Sequence, residues 1–160
     1  MTERARTTAF NSPLETGMRS LAILAAAHPA SFDLQRLVEL DYLVVHSGDA
    51  GGPKSLHVPL PLRAGELLVR RGLIKTGLML MMSRGLVQRL SKSEGIYYSA
   101  GDAAAPFLAS LTEDYTKRLI ARAEWAVGEF ENFSTDEIRM ITSSFFERWS
   151  SQFQPRTRIG

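Results

Sequence analysis

Residues 63–99 read RAGELLVRRGLIKTGLMLMMSRGLVQRLSKSEGIYYS, and the hydrophobic period changes within this stretch. Arg63 to Arg84 contains no proline and is rich in good helix formers, which predicts the longest helix of the chain. Gly85 stands where a helix C-terminal glycine belongs. From Leu86 the period falls from 3.6 to 2: Leu86-Val87-Gln88-Arg89-Leu90 and Ile96-Tyr97-Tyr98-Ser99 flank SKSEG, which predicts a β-hairpin. Wound at about 100° per residue, the helix carries two apolar stripes. Leu67, Ile74, Leu78 and Met81 form one, suited to a core. Val69, Leu73 and Leu80 form the other on nearly the opposite side, and it must meet either the C-terminal part of the chain or another protein.

Upstream, Ser12-Pro13 predicts an N-cap followed by an N1 proline, with Glu15 favourable in the first turn. Leu14, Met18, Leu21, Leu24 and Ala25 then recur at helical spacing up to His28-Pro29, as one apolar face. Asp33 caps a second segment in which Leu34, Leu37, Val38 and Tyr42 have helical spacing, although Tyr42 to Val45 reads equally well as a short strand. A Gly/Pro loop from Ser47 to Pro61 follows. Downstream of the hairpin, a short helical segment spans Asp102 to Leu111. Tyr115, Leu119, Ala126 and Phe130 line a longer one, and the capping box at Ser134 and Glu137 starts a last helix with Ile138, Ile141, Phe145, Trp149 and Phe153 on its apolar positions.

The expected class is therefore mainly α. A winged helix-turn-helix-like core with a small hairpin wing occupies 12–101, and a C-terminal helical hairpin packs on it over 102–153. Flexible ends are expected at 1–11 and 154–160.

The chain has 160 residues, of which 44% are hydrophobic, enough for one compact unit with a proper core. With a formal net charge of only +2, no global excess of charge argues for nucleic acid. The absence of cysteine excludes disulfides, thiol catalysis and Cys-based metal sites. The first dozen residues lack the apolar region of a secretory signal, and the apolar run Leu78 to Met82 is far too short to span a bilayer. A soluble, cytoplasmic protein without membrane contact is expected.

GDAGGPKS at 48–55 matches the phosphate-loop pattern G-x-x-x-x-G-K-[ST] except that Pro53 replaces the last glycine. Proline removes a backbone donor that would face the anion, and Pro59 and Pro61 forbid a helix directly after Ser55. His46, Asp49 and His57 are potential metal ligands, but nothing in their loop fixes a coordination geometry. Ser47 beside His46 has no orienting acid, and His28 is explained by its place at a helix end. No catalytic constellation, cofactor or metal is expected.

Charge is local. Arg63, Arg70, Arg71, Lys75, Arg84, Arg89 and Lys92 face the single acid Glu66 in the long helix and hairpin. Arg70, Arg71, Arg84, Arg89 and Lys92 are candidates for phosphate contact. The long helix has no Asn or Gln for reading base edges, however, so partner binding ranks ahead of DNA recognition.

The block LDYLVVHSGDAGGPKSLHVPLPLRAGELLVRRGLI, followed by LMLMMSRGL and GIYYSA, resembles middle component 2 of the ABC-three-component systems. The likeness spans roughly residues 12 to 153 and is most specific between Leu40 and Arg71. These are prokaryotic conflict modules, related to Lamassu-type anti-phage defence, that pair an SMC-like or Rad50-like ABC ATPase with an effector and a small middle subunit. The resemblance implies a non-enzymatic adaptor whose loop is a turn-rich surface for a protein partner. From composition, the residues expected to dock are His46, Asp49, Gly51, Gly52, Pro53, His57, Pro59 and Pro61 of the loop, with Leu73 and Leu80 of the long helix. The rival expectation is a homodimeric winged-helix transcriptional regulator that binds DNA through the basic residues.

Overall fold

A computed structural model describes residues 12–53 and 64–153, with side chains at 12–48, 51–53 and 68–144. The chain ends at 1–11 and 154–160, and His57, Pro59 and Pro61 of the loop, lie outside the described residues, as do the side chains of Asp49, Leu67, Phe145, Trp149 and Phe153. In chain order the elements are helix α1 (Pro13–Ala27), strand β1 (Phe32–Asp33), helix α2 (Leu34–Val45), a single 3-10 turn (Ser47–Ala50) and helix α3 (Ala64–Ser83). Strands β2 (Val87–Lys92) and β3 (Gly95–Ala100) follow, then helices α4 (Ala104–Ala109), α5 (Asp114–Glu129) and α6 (Thr135–Phe153). The fold is mainly helical with one small antiparallel sheet.

The local signals act as their chemistry requires. The Ser12 hydroxyl accepts the Glu15 N–H at 3.2 Å, and the Asp33 carboxylate accepts the Arg36 N–H at 2.9 Å. At α6 the capping box closes both ways: Ser134 Oγ accepts the Glu137 N–H at 3.1 Å and Glu137 Oε1 accepts the Ser134 N–H at 3.5 Å. Gly85 turns the chain at φ 69°, in the left-handed region that favours glycine, and ends α3. Tyr42 to Val45 belong to α2, so the alternative of a strand there falls away.

The sheet order is β1-β3-β2. The hairpin pairs Val87 with Ala100 through to Lys92 with Gly95, around a turn at Ser93-Glu94. β1 adds two residues to its other side, Phe32 opposite Tyr98 and Asp33 opposite Tyr97. This strand is not expected from sequence, because two residues are too short to show alternation.

α1 is the centre of the molecule. It lies against α3 and α5, and it also touches α2, α4 and β3. The expectation of a single apolar face on α1 is therefore corrected: Thr16, Arg19 and Ser20 are buried together with Leu21, Ile23 and Leu24, while Leu14 stands 59% exposed. The rest of the core comes from Leu37, Leu40, Leu43 and Val44 of α2, Ile74 and Leu78 of α3, Leu119 of α5 and Ile138 of α6. Each such fully buried aliphatic side chain contributes about 1.5–3 kcal/mol of transfer free energy. α1 and α3 cross at two glycines, where a Cβ on Gly77 would lie 2.6 Å from the Gly17 backbone nitrogen. The C-terminal helices lean inward, α5 on α1 and α2, and α6 on α2.

Candidate functional site

The described half of the Gly/Pro loop is built on its own chain. Ser47 is the hub: its carbonyl accepts the Gly52 N–H at 2.9 Å and its hydroxyl donates to the Pro53 carbonyl at 2.7 Å. Gly51 has φ 74°, so the turn needs a residue tolerant of the left-handed region. At Gly52 the need is steric instead, since a Cβ there would fall 2.3 Å from the indole of Trp125 on α5. Trp125 is fixed in turn by an edge-on contact with Phe130, 5.9 Å between ring centroids. The three glycines and the proline thus close a turn and seat it on α5.

His46 does not lie on that surface. It is buried at the end of α2, with its ring 4.8 Å from that of Tyr42. Gly51 and Pro53 are exposed. Among the described residues, no group of three His, Cys, Asp or Glu side chains is placed to hold a metal ion.

The two stripes of α3 divide as their spacing predicts. Ile74, Leu78 and Met81 are buried in the core. On the other side Val69 is 63% exposed, whereas Leu73 and Leu80 are half-buried and Leu80 packs partly against the core; Leu68, 73% exposed, lies a quarter-turn away on the side of Lys75. Gly72, Thr76 and Ser83 are exposed along the same side, which carries no charged residue.

The basic candidates do not form one strip. Arg70 turns inward: its guanidinium donates to Asp41 Oδ2 at 2.6 Å and lies 5.9 Å from the centre of the Tyr42 ring. Its expected place as a phosphate contact is corrected by that burial, which leaves the side chain only 16% exposed. Arg71, Arg84, Arg89 and Lys92 are exposed. Arg71 donates to the Gln35 side chain at 2.9 Å, and the Lys92 ammonium donates to Ser31 Oγ at 2.7 Å and sits 4.6 Å from the Tyr97 ring centre.

Asp41 itself is not singled out by the sequence reading. It is completely buried, and its second oxygen accepts Arg19 Nε at 2.7 Å. Burial alone would raise its carboxyl, but Arg19 and Arg70 outweigh burial and hold it below the ordinary carboxylate range. Burial likewise works against the Arg19 charge, and Asp41 overcomes it. The network reaches α5 through Glu15, which lies 4.0 Å from Arg19 and accepts the Tyr115 hydroxyl at 2.6 Å. Burial, then Glu15, push that phenol well above its usual value.

A second buried acid on the same helix, Glu39, ties α6 down. Its oxygens accept the Thr142 hydroxyl at 3.0 Å and Arg139 Nε at 3.4 Å. Arg36 spans the turn between α5 and α6, donating to the carbonyls of Phe130 at 3.1 Å and Phe133 at 2.9 Å. The signal for both acids is their position inside LVELDYLVV, an otherwise apolar helix where a carboxylate must find a cation. Which cation it finds is not visible in one sequence.

No helix among the described residues is long and apolar enough to cross a membrane. No curated protein and no solved structure matches the chain. The family model for the ABC-three component (ABC-3C) system Middle Component 2 matches residues 9–152, nearly the whole chain, and its reach takes in α1, the loop turn seated on Trp125, both stripes of α3, the hairpin and the docked C-terminal helices. The chain belongs to the Middle Component 2 family of ABC-three component systems.

Proposed function

We propose that this protein is a non-catalytic adaptor that joins an SMC-like or Rad50-like ABC ATPase to an effector in a Lamassu-related anti-phage system. Membership in a multi-component ABC system implies protein partners. The observation that carries the adaptor reading is the outer side of α3, where Val69 stands 63% exposed in line with Leu73, Thr76 and Leu80 without a charge among them. Exposed apolar side chains grouped in this way mark a protein contact more often than a solvated face. The element order, helix, strand, two helices and a hairpin, supports a winged-helix assignment with α3 in the place of the recognition helix. Leucine and valine there suit a protein surface better than base edges. The buried acids support the absence of catalysis, because Asp41 and Glu39 are each held by cations inside the fold.

Co-expression with the ABC ATPase and effector of the same system tests the reading. Val69→Asp places a charge where the isolated subunit is open to water, so its own melting temperature should hardly move. Burial of an unpaired charge in an apolar contact costs several kcal/mol, and co-purification should drop by at least about tenfold. Retention of both partners by Val69→Asp and Leu73→Asp variants, each still folded, overturns the placement of the contact on α3. Sequence-specific duplex binding by the subunit alone, at about 10⁻⁸ M or tighter, favours the transcriptional regulator instead.

A further inference from the structure

Around the helix from that uncharged side, a groove of about 790 Å³ runs between α3 and the hairpin. Its apolar lining includes Met79 and Met82 of α3 and Ile96 of β3, and Met79 and Ile96 are 58% and 42% exposed. Arg71, Lys75 and Arg89 line it with positive charge from both walls. The carboxylates on its wall are Asp33, already engaged as the cap of α2, and Glu94 in the hairpin turn. None of the three cations lies within ion-pair distance of a carboxylate among the described residues. Arg84, just past the end of α3, and Lys92 of β2 are exposed as well.

The sheet is also incomplete at this groove. β1 pairs only with Tyr97 and Tyr98, so Gly95 and Ile96 of β3, which line the groove, have a strand on the β2 side alone. An extended chain laid beyond the end of β1 would continue the sheet along that free edge.

We infer that this groove binds an extended acidic segment of a protein partner, anchored by at least one bulky apolar side chain. Each part of that description answers a feature of the wall. Carboxylates satisfy three cations that have no ion-pair partner among the described residues, and the unbranched methionines adapt to a side chain of irregular shape. The strand edge selects an extended backbone over a helix. A nucleic-acid backbone answers the cations but leaves Met79 and Ile96 uncovered, which is why the peptide is favoured. The groove is a surface distinct from the one assigned to the adaptor contact, and its occupancy does not depend on that assignment.

Selection from a display library of random peptides about twelve residues long, on the full-length chain, tests the inference. Enriched peptides should carry several Asp or Glu residues next to a bulky apolar residue. A synthetic copy of one should bind in the micromolar range, and more weakly as salt rises from about 0.05 to about 0.5 M. The double variant Lys75→Glu/Arg89→Glu and the variant Met79→Asp should each lower its affinity at least about tenfold. Lys117→Glu, an exposed position on α5, should leave it unchanged. All of the altered side chains are exposed, so the variants should fold, and their melting curves verify it.

The inference is overturned if no peptide is enriched, if the enriched peptides lack acids, or if their binding ignores the groove variants. It also fails if a duplex of about 20 base pairs binds tighter than any peptide, is lost on charge reversal and is indifferent to Met79→Asp. A dimer in sedimentation that dissociates on Met79→Asp would assign the groove to a second copy of the chain.

Discussion

Asp41 has no exposed surface, and its two oxygens are divided between Arg19 on α1 and Arg70 on α3. Removing its charge takes the nearest carboxylate from the Arg19 guanidinium, which is only 2% exposed. Asp41→Asn should therefore cost about 3–5 kcal/mol in urea unfolding. The double variant Arg19→Met/Asp41→Leu should recover much of that loss, because a buried pair replaced by apolar groups of similar size is often neutral or better. If the double variant is as unstable as the single one, the network acts through something other than charge pairing. The same carboxylate sets a pH dependence. Its pKa is lowered in the folded state, so its contribution is present above the ordinary value of 3.8 and is lost as pH falls below it. Unfolding free energy should fall as pH is lowered below about 4, and that fall should be smaller in Arg19→Met/Asp41→Leu. Little of this is legible beforehand, because a carboxylate inside LVELDYLVV announces a need for a cation and not where the cation lies.

At the scale of elements, the caps and the hairpin are legible because their physics is local. Ser12, Asp33 and Ser134 each bond a backbone N–H within three residues, and the change of period at Leu86 coincides with the end of α3. The burial of α1 on nearly all sides is not legible, since it follows from what α3, α5 and β3 place around it. The same holds for Gly52, whose need for a missing side chain is created by Trp125 far along the chain. The glycines of α3 separate the two kinds of information. A Cβ at Gly77 would meet backbone atoms of Gly17 at 2.6 and 2.8 Å and the Pro13 carbonyl oxygen at 2.9 Å, so only a shift of one helix can relieve it. Gly77→Ala should cost about 1–3 kcal/mol. At Gly72, with nothing within 4 Å, alanine should stabilise the same helix by about 0.5–1 kcal/mol. Thermal unfolding of the two variants measures both, and equal effects would refute the close crossing of α1 and α3.

Across the whole molecule, the sequence suggests a division at residue 101, with a hairpin-bearing unit before it and a helical extension after it. The packing bears on whether that division is also one of stability. α5 covers α1 with Leu119, Ala123 and Ala126, all buried, and Ile138 of α6 is fully buried. Polar ties cross the same line, from Arg36 to the carbonyls of Phe130 and Phe133, from Glu39 to Thr142, and from Glu15 to Tyr115. Gly52 adds the loop, seated on Trp125. Removal of everything after Gly101 would open to water the side of α1 that α5 now covers. Apolar area left unburied costs roughly 25 cal/mol per Å², and a domain has only about 5–15 kcal/mol to lose. A chain ending at Gly101 should therefore keep part of its helical circular dichroism but melt without a cooperative transition and bind a hydrophobic dye. The full chain should melt once, as a unit, with tryptophan fluorescence and far-ultraviolet dichroism changing together. Two separated transitions in the full chain, or a sharp transition in the shortened one, would make the C-terminal helices an independent appendage and not the second half of the core.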